Sequence, residues 1–256
     1  MISPFIFGHQ SMQFPNISHH KIPALTTDQM REVDRLMIEE MGIQLIQMME
    51  NAGRNLARLA QYKYLQKDKE SDIIVLAGKG GNGGGALVCA RHLANWRYPV
   101  KIVLSKPEDE YTGIPLLQLN ILKKMDLDII PYGFLIKMKT PRLIIDGLIG
   151  YSLSGPPRGD VANLIRWANL EDTPILSLDL PSGMEATTGE VYVPFIKASA
   201  TMTLALPKMG LLKPENKSMV GDLYLADISV PPFLYRQLNL YVPDQLFRDT
   251  EIIKLT

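Results

Sequence analysis

The apolar residues of this chain follow two periodicities. Between residues 30 and 41 they recur in steps of three and four (Met30, Val33, Met37, Met41), and Gly42 then interrupts the pattern. That spacing places them on one face of a helix. Thr26, followed three residues later by Gln29, has the pattern of a capping box, which predicts that the helix begins after Thr26. A second helix is predicted from about Gln44 to Lys63, with Leu45, Met48, Ala52, Leu56 and Leu59 along one side. Met37, Met41, Met48 and Met49 are expected to pack in the core, where flexible thioethers fill irregular gaps. From Asp72 onward, short apolar runs alternate with helical patterns. The runs predict strands at 73–77, 100–104, 128–131, 143–146, 175–179, 201–206 and 222–226, and the patterns predict helices at 84–95, 113–125 and 160–168. Strands alternating with helices imply an α/β fold with a mostly parallel central sheet. Lys67 to Ser71 reads as a charged connector, with no internal repeat, low-complexity tract or second-domain linker. Residues 25–256 are expected to form a single domain, preceded by an irregular arm over residues 1–24.

Composition narrows the classes of function. The chain has 256 residues, 46% hydrophobic and 21% charged, with 27 basic and 27 acidic residues balancing to zero. No global positive field argues for nucleic acid as a partner. The single cysteine, Cys89, cannot form an internal disulfide; it is expected to be a small core residue in a reducing compartment, which points to the cytoplasm. No apolar run reaches the roughly 18 residues that a membrane span requires. Residues 1–22 lack a basic segment followed by a long apolar one, so no secretory signal is expected.

The densest chemistry lies at Gly78-Lys-Gly-Gly-Asn-Gly-Gly-Gly-Ala86. Here an apolar run, Ile73 to Leu76, enters six glycines around one asparagine, and a helical pattern follows. Strand, glycine loop and helix together form a phosphate-binding layout. Glycines admit an anion close to the backbone, and the helix start offers free N–H groups. Gly78, Gly80 and Gly83 match G-x-G-x-x-G, a weak signal when it stands alone. A dinucleotide dehydrogenase would place an acidic residue at the end of the next strand, whereas Val100–Leu104 is followed by Ser105-Lys106, which argues against hydride transfer. Asp146 closes the run Leu143-Ile-Ile, and Asp179 closes Ile175-Leu-Ser-Leu. In open parallel sheets ligands bind beyond the carboxyl ends of strands, so three segments aim polar groups at one edge. Each carboxylate has a plainer reading as a turn former before Gly147 or Leu180-Pro. Together with Asn82 and Ser182 they would also make an oxygen-rich site for a hard cation. The histidines (His9, His19, His20, His92) and Cys89 show no zinc spacing, and Gly150-Tyr-Ser-Leu-Ser-Gly155 is not a nucleophile elbow. His92 is expected to be a packed or surface residue.

Taken in order, these motifs resemble the YjeF N-terminal domain family, the NAD(P)H-hydrate epimerases, over roughly Leu25 to Pro232. Thr26 to Asp34 and Leu45 to Gly53 are similar to its opening helices. Gly78 to Leu93 is similar to its glycine loop, GPGNNGGDGLVAARHL. Ile145-Asp-Gly-Leu-Ile-Gly150 and Leu178-Asp-Leu-Pro-Ser-Gly183 resemble its DA-L/I-F-G and D-I/L-P-S-G motifs. Thr203 to Leu211 and Gly221 to Ile228 resemble its late strands. The resemblance implies a Rossmann-like three-layer fold with helices on both faces of the sheet, and a homodimer. It implies a potassium ion held at Asn82, Asp146 and Ser182. Hydrated NADH or NADPH would contact Gly81, Asn82, Gly83, Gly84 and Gly85, the segment Gly150, Tyr151, Ser152, Leu153, Ser154, Gly155 and Pro156, and Asp179. The implied reaction interconverts the R and S hydrates, so that a separate ADP- or ATP-dependent dehydratase can repair both. Asp179 and Asp146 are the carboxylates available to stabilise a cationic ring or carry a proton.

The chain departs from the family pattern at three places. Gly81 replaces the first asparagine of NNGGDG, Gly85 replaces its aspartate, and Tyr151-Ser152 stands where the family has Thr-Gly. These changes leave a second reading open, in which the fold is kept as a nucleotide-, RNA- or protein-binding scaffold without catalysis.

Overall fold

The structure, a computed structural model, describes residues 14–66, 70–243 and 245–256. The expectations for residues 1–13 of the arm and 67–69 of the connector lie outside the described residues.

The capping box forms as predicted. The Gln29 N–H donates to Thr26 Oγ1 at 3.1 Å, and the Thr26 N–H donates to Gln29 Oε1 at 2.9 Å. Helix α1 (Thr27–Arg35) starts there. It widens into a π-type turn over Leu36–Glu40, where the Met41 N–H bonds Leu36 O at 3.1 Å. Gly42, at φ +70°, ends the helix in a conformation that only glycine adopts cheaply. Helix α2 (Leu45–Tyr64) follows. Met37, Met48 and Met49 are buried as expected, whereas Met41 is exposed.

One nine-stranded sheet carries the rest. Its strands are β1 (Asn16–Ile17), β2 (Ile73–Ala77), β3 (Val100–Leu104), β4 (Asp128–Ile129), β5 (Leu143–Gly147), β6 (Ile175–Leu178), β7 (Ala200–Leu204), β8 (Asp222–Ala226) and β9 (Ile252–Leu255). Their order is β1-β9-β8-β7-β6-β5-β2-β3-β4, and only the β8–β9 pair is antiparallel. The longer crossover helices are α3 (Gly81–Asn95), α4 (Gly113–Lys124) and α6 (Gly159–Leu170), with short α5 (Tyr132–Leu135), α7 (Lys217–Val220) and α8 (Pro232–Gln237). Alternate strand residues divide between the two faces. Ile73, Val75, Leu143 and Ile145 pack with α2, α3 and α4, while Ile74, Leu76 and Ile144 pack with Leu164, Ile165 and Ala168 of α6. This is a three-layer α/β fold.

Several boundaries differ from expectation. The strand predicted at 128–131 ends at Ile129, close before Pro131, which has no N–H for the ladder. Strands predicted to run to 179 and 206 stop at Leu178 and Leu204, because Asp179 (φ +67°) and Ala205 (φ +64°) turn left-handed. The helix predicted from residue 84 begins at Gly81, so most of the glycine loop is the first turns of α3. Close packing favours glycine there, since a methyl at Gly84 would lie 2.6 Å from Met49 Sδ of α2 and one at Gly85 would lie 2.8 Å from Leu178 Cδ2. Residues 16–17 of the expected arm also join the sheet, paired in parallel with β9.

Candidate functional site

β2 lies between β3 and β5, so the crossovers diverge at this point in the sheet and leave a crevice beyond the strand ends. A cavity of about 460 Å³ occupies it. Its polar wall includes Lys79, Gly81, Asn82 and Ser105, with Asp34, Tyr151, Asp179 and Lys208 deeper along the lining, while Met30, Ile38, Met48 and Met49 supply apolar wall. Some of the methionines read as core packing therefore also line this space.

Asp179 and Lys208 form its charged floor. Lys208 is 0% exposed and Asp179 2%. The ammonium donates to Asp179 Oδ1, to Leu204 O at 2.9 Å and to Thr203 Oγ1 at 3.4 Å, which uses its three protons. Asp179 Oδ1 also accepts from the Leu204 N–H at 3.4 Å, while Oδ2 takes no hydrogen bond from the described residues. Holding a non-glycine residue at φ +67° is uncommon, and such positions cluster where function requires them.

Asp34 and Tyr151 form a second pair, the tyrosine hydroxyl donating to Asp34 Oδ2. Burial pushes the Asp34 carboxyl above the usual carboxylate range, and the negative charge of Asp179 adds to this. The Tyr151 hydrogen bond and the positive charge of Lys208 oppose it. The tyrosine hydroxyl is itself raised, first by burial and then by the Asp34 charge.

Asp146 is placed differently from Asp179. It is fully buried within β5 and does not line the cavity. Its oxygens accept from Ser177 Oγ (2.8 Å), the Ser182 N–H (2.9 Å), Ser182 Oγ (2.6 Å) and the Leu148 N–H (3.2 Å). Burial raises its carboxyl, and these bonds pull it back. A carboxylate so occupied holds a charge in place, and of the two predicted catalytic carboxylates only Asp179 faces the cavity. Asn82 Nδ2 donates to Leu178 O at 2.6 Å, leaving Oδ1 as the acceptor beside Gly150, where any Cβ would come within 2.5 Å of it. Ser182 Oγ bridges Asp146 and the backbone of Ile149. The available donors are thus oxygens with a single carboxylate, a set that suits a hard cation of low charge. Among the described residues no group of three or more His, Cys, Asp or Glu gathers to hold a metal.

Of the predicted substrate contacts, Gly81, Asn82, Gly85, Gly150, Tyr151, Ser152 and Asp179 line the cavity. Gly83, Gly84, Leu153, Ser154, Gly155 and Pro156 do not. Gly83 instead packs beneath Gly78, whose carbonyl oxygen would lie 1.6 Å from an added methyl. Sequence reasoning missed Asp34 and Lys208. The available signal for Lys208 was a lysine set within the apolar run Ala205-Leu-Pro-Lys-Met209. His92 and Arg91 both bond Glu50 between α2 and α3, a packing role. Cys89 is buried, and burial lifts its thiol above the ordinary range. No described helix is long and apolar enough to cross a membrane.

The family model described as YjeF-related protein N-terminus matches residues 45–210. The NAD(P)H-hydrate epimerase of Dehalogenimonas lykanthroporepellens is 39% identical over 90% of this chain and 91% of its own length. The bifunctional NAD(P)H-hydrate repair enzyme Nnr of Salinibacter ruber is 34% identical over 83% of this chain, which spans 42% of that longer protein. The crystal structure of yeast ynu0 superposes with a TM-score of 0.77 at 26% identity, covering 91% of this chain and all of that one.

Proposed function

The chain belongs to the family of YjeF-related protein N-termini, and on that premise we propose that it is an NAD(P)H-hydrate epimerase whose chemistry is carried by Asp179, Lys208 and Asp34. The observation that carries this reading is the buried Asp179–Lys208 pair lining a cavity next to the glycine-rich start of α3.

A hydrated nicotinamide ring bears a hydroxyl on a carbon bonded to the ring nitrogen. Protonation of that hydroxyl releases water and leaves an iminium cation. Water then adds to either face and gives up a proton, so proton and water balance over the cycle. Asp179 has the unbonded Oδ2 to receive the proton of the adding water, and its charge stabilises the cation. Lys208 balances Asp179 and fixes its Oδ1. Asp34, whose carboxyl is raised by burial, is the group suited to hold the proton for the departing hydroxyl. Two carboxyls in unlike environments on one cavity divide the acid and base roles. The apolar wall of Met30, Met48 and Met49 restricts water around the cation.

Potassium is part of the same reading. Asn82 Oδ1, Asp146 and Ser182 Oγ are the oxygens that would hold it, and a bound cation would supply fixed positive charge beside the glycine loop. A homodimer and a separate dehydratase acting on the S hydrate complete the proposal; the names of the bifunctional relatives support linked repair. The test is to incubate purified R hydrate with the protein and resolve the epimers by chromatography over time. Acceleration above the spontaneous rate supports the assignment, and a rate equal to background with folded protein refutes it.

A further inference from the structure

A second cavity of about 440 Å³ opens beyond the carboxyl ends of β3 and β4. Ile129, Pro131, Tyr132 and Leu164 give it an apolar lining, and Asp160 and Glu108 add carboxylates. Lys106 lines this cavity and the first one alike. The two spaces therefore adjoin at one lysine, and no carboxylate pairs with that lysine among the described residues. Glu108 by contrast is paired with Lys123. Lys79, also on the first cavity and just before the start of α3, is paired with Glu110 at 3.2 Å.

We propose that the second cavity is an adenosine subsite, and that Lys106 between the two cavities binds a phosphate of the same dinucleotide. The proposal rests on the reading of the first cavity as the site of the hydrated nicotinamide. A dinucleotide whose reacting ring lies at Asp179 must carry its other half away from β6, and the crevice across β2 leads to β3 and β4. Its phosphates pass the N-terminus of α3, where Lys106, with no carboxylate partner among the described residues, supplies positive charge. The purine then meets Tyr132 and the aliphatic wall, an apolar slot flanked by polar groups of the kind that fits a flat base. Asp160, in the first turn of α6 and without a partner among the described residues, can accept from a ribose hydroxyl. The phosphate at Lys106 comes either from the pyrophosphate bridge or from the 2′-phosphate of an NADPH-type ligand.

The test is calorimetric titration with ADP-ribose and with 2′-phospho-ADP-ribose, neither of which carries a nicotinamide ring. The proposal expects ADP-ribose to bind, Tyr132→Ala to weaken it about tenfold, equivalent to about 1.4 kcal/mol, and Lys106→Met to weaken at least one of the two ligands by the same factor. A Lys106→Met loss equal for both ligands assigns the pyrophosphate; a larger loss for the 2′-phosphorylated ligand assigns the 2′-phosphate. Affinity for ADP-ribose unchanged in both variants overturns the subsite. In parallel, Tyr132→Ala, which lies on the second cavity alone, should raise KM for the dinucleotide hydrate about tenfold with kcat kept, and leave KM for the hydrate of reduced nicotinamide mononucleotide unchanged. Turnover of both substrates with no change in either variant would leave the epimerase reading standing and remove the subsite. ADP-ribose binding that depends on Tyr132, in a protein without turnover, would do the reverse.

Discussion

The ammonium of Lys208 donates to the carboxylate of Asp179 on the floor of the cavity, where both are buried and Asp179 ends a strand at positive φ. Buried ion pairs contribute little net stability, but breaking one by removing a single partner leaves an uncompensated charge and costs roughly 3–5 kcal/mol. Lys208→Met should therefore lower stability by that order and abolish turnover. The double variant Lys208→Met, Asp179→Leu should recover most of the stability and none of the activity. Urea unfolding and the epimer assay together check this; recovered activity in the double variant would show that the pair serves only the fold.

The Asp34–Tyr151 pair predicts a pH-dependent stability difference. The Asp34 carboxyl is raised in the folded protein, so its contribution is fully present below the unfolded value near 3.9 and is lost as pH rises through the folded value. Asp34→Asn cannot ionise and escapes that loss. Its Tm relative to wild type should rise from pH 4 to pH 7, while turnover falls. A difference in Tm that is flat with pH would show that Asp34 is not raised.

Ala86 and Gly147 exchange a methyl relative to the family pattern, which has Gly at the first position and Ala at the second. A methyl at Gly147 would come within 2.3 Å of Ala86 Cβ. Gly147→Ala alone should destabilise by about 1–3 kcal/mol through overpacking. Adding Ala86→Gly should remove most of that cost, and denaturant titrations of the four species measure the coupling. Additive effects would mean that the two positions do not compensate.

Potassium should raise the Tm of wild type, because a ligand that binds only the folded state stabilises it, by about 2.7 kcal/mol at 100 times its Kd. Asn82→Ala removes the free Oδ1 and Asp146→Ala the carboxylate, so both should lose the potassium-dependent increment. Equal increments in wild type and both variants would place the cation elsewhere.

Most of the sheet was legible because buried parallel strands read as short apolar runs ended by glycine, proline or aspartate. Asp179 was legible for the same reason, standing where an apolar run breaks. Lys208 was not, since a lysine after Pro207 reads as a solvated loop residue, and only the return of the chain beneath Asp179 buries it. Asp34 lies on a helix where a charged residue reads as the wet face; Tyr151, from a distant loop, makes it part of the cavity. The start of α3 was hidden because glycine lacks helix propensity, and the close crossing by α2 favours it nonetheless. β1 and β9 were too short to show a period, and they pair with each other from opposite ends of the chain.

The proposed epimerisation depends on Asp179 to move the proton. The most direct measurement compares wild type with Asp179→Asn, a near-isosteric change, on purified R hydrate with potassium present and the spontaneous rate subtracted. Wild type should form the S hydrate clearly, and the variant should lose at least about a hundredfold, the lower end of what a positioned acid–base group contributes, with the fold retained by circular dichroism. Wild-type and variant rates that are equal, whether both fast or both at background, would contradict the proposal.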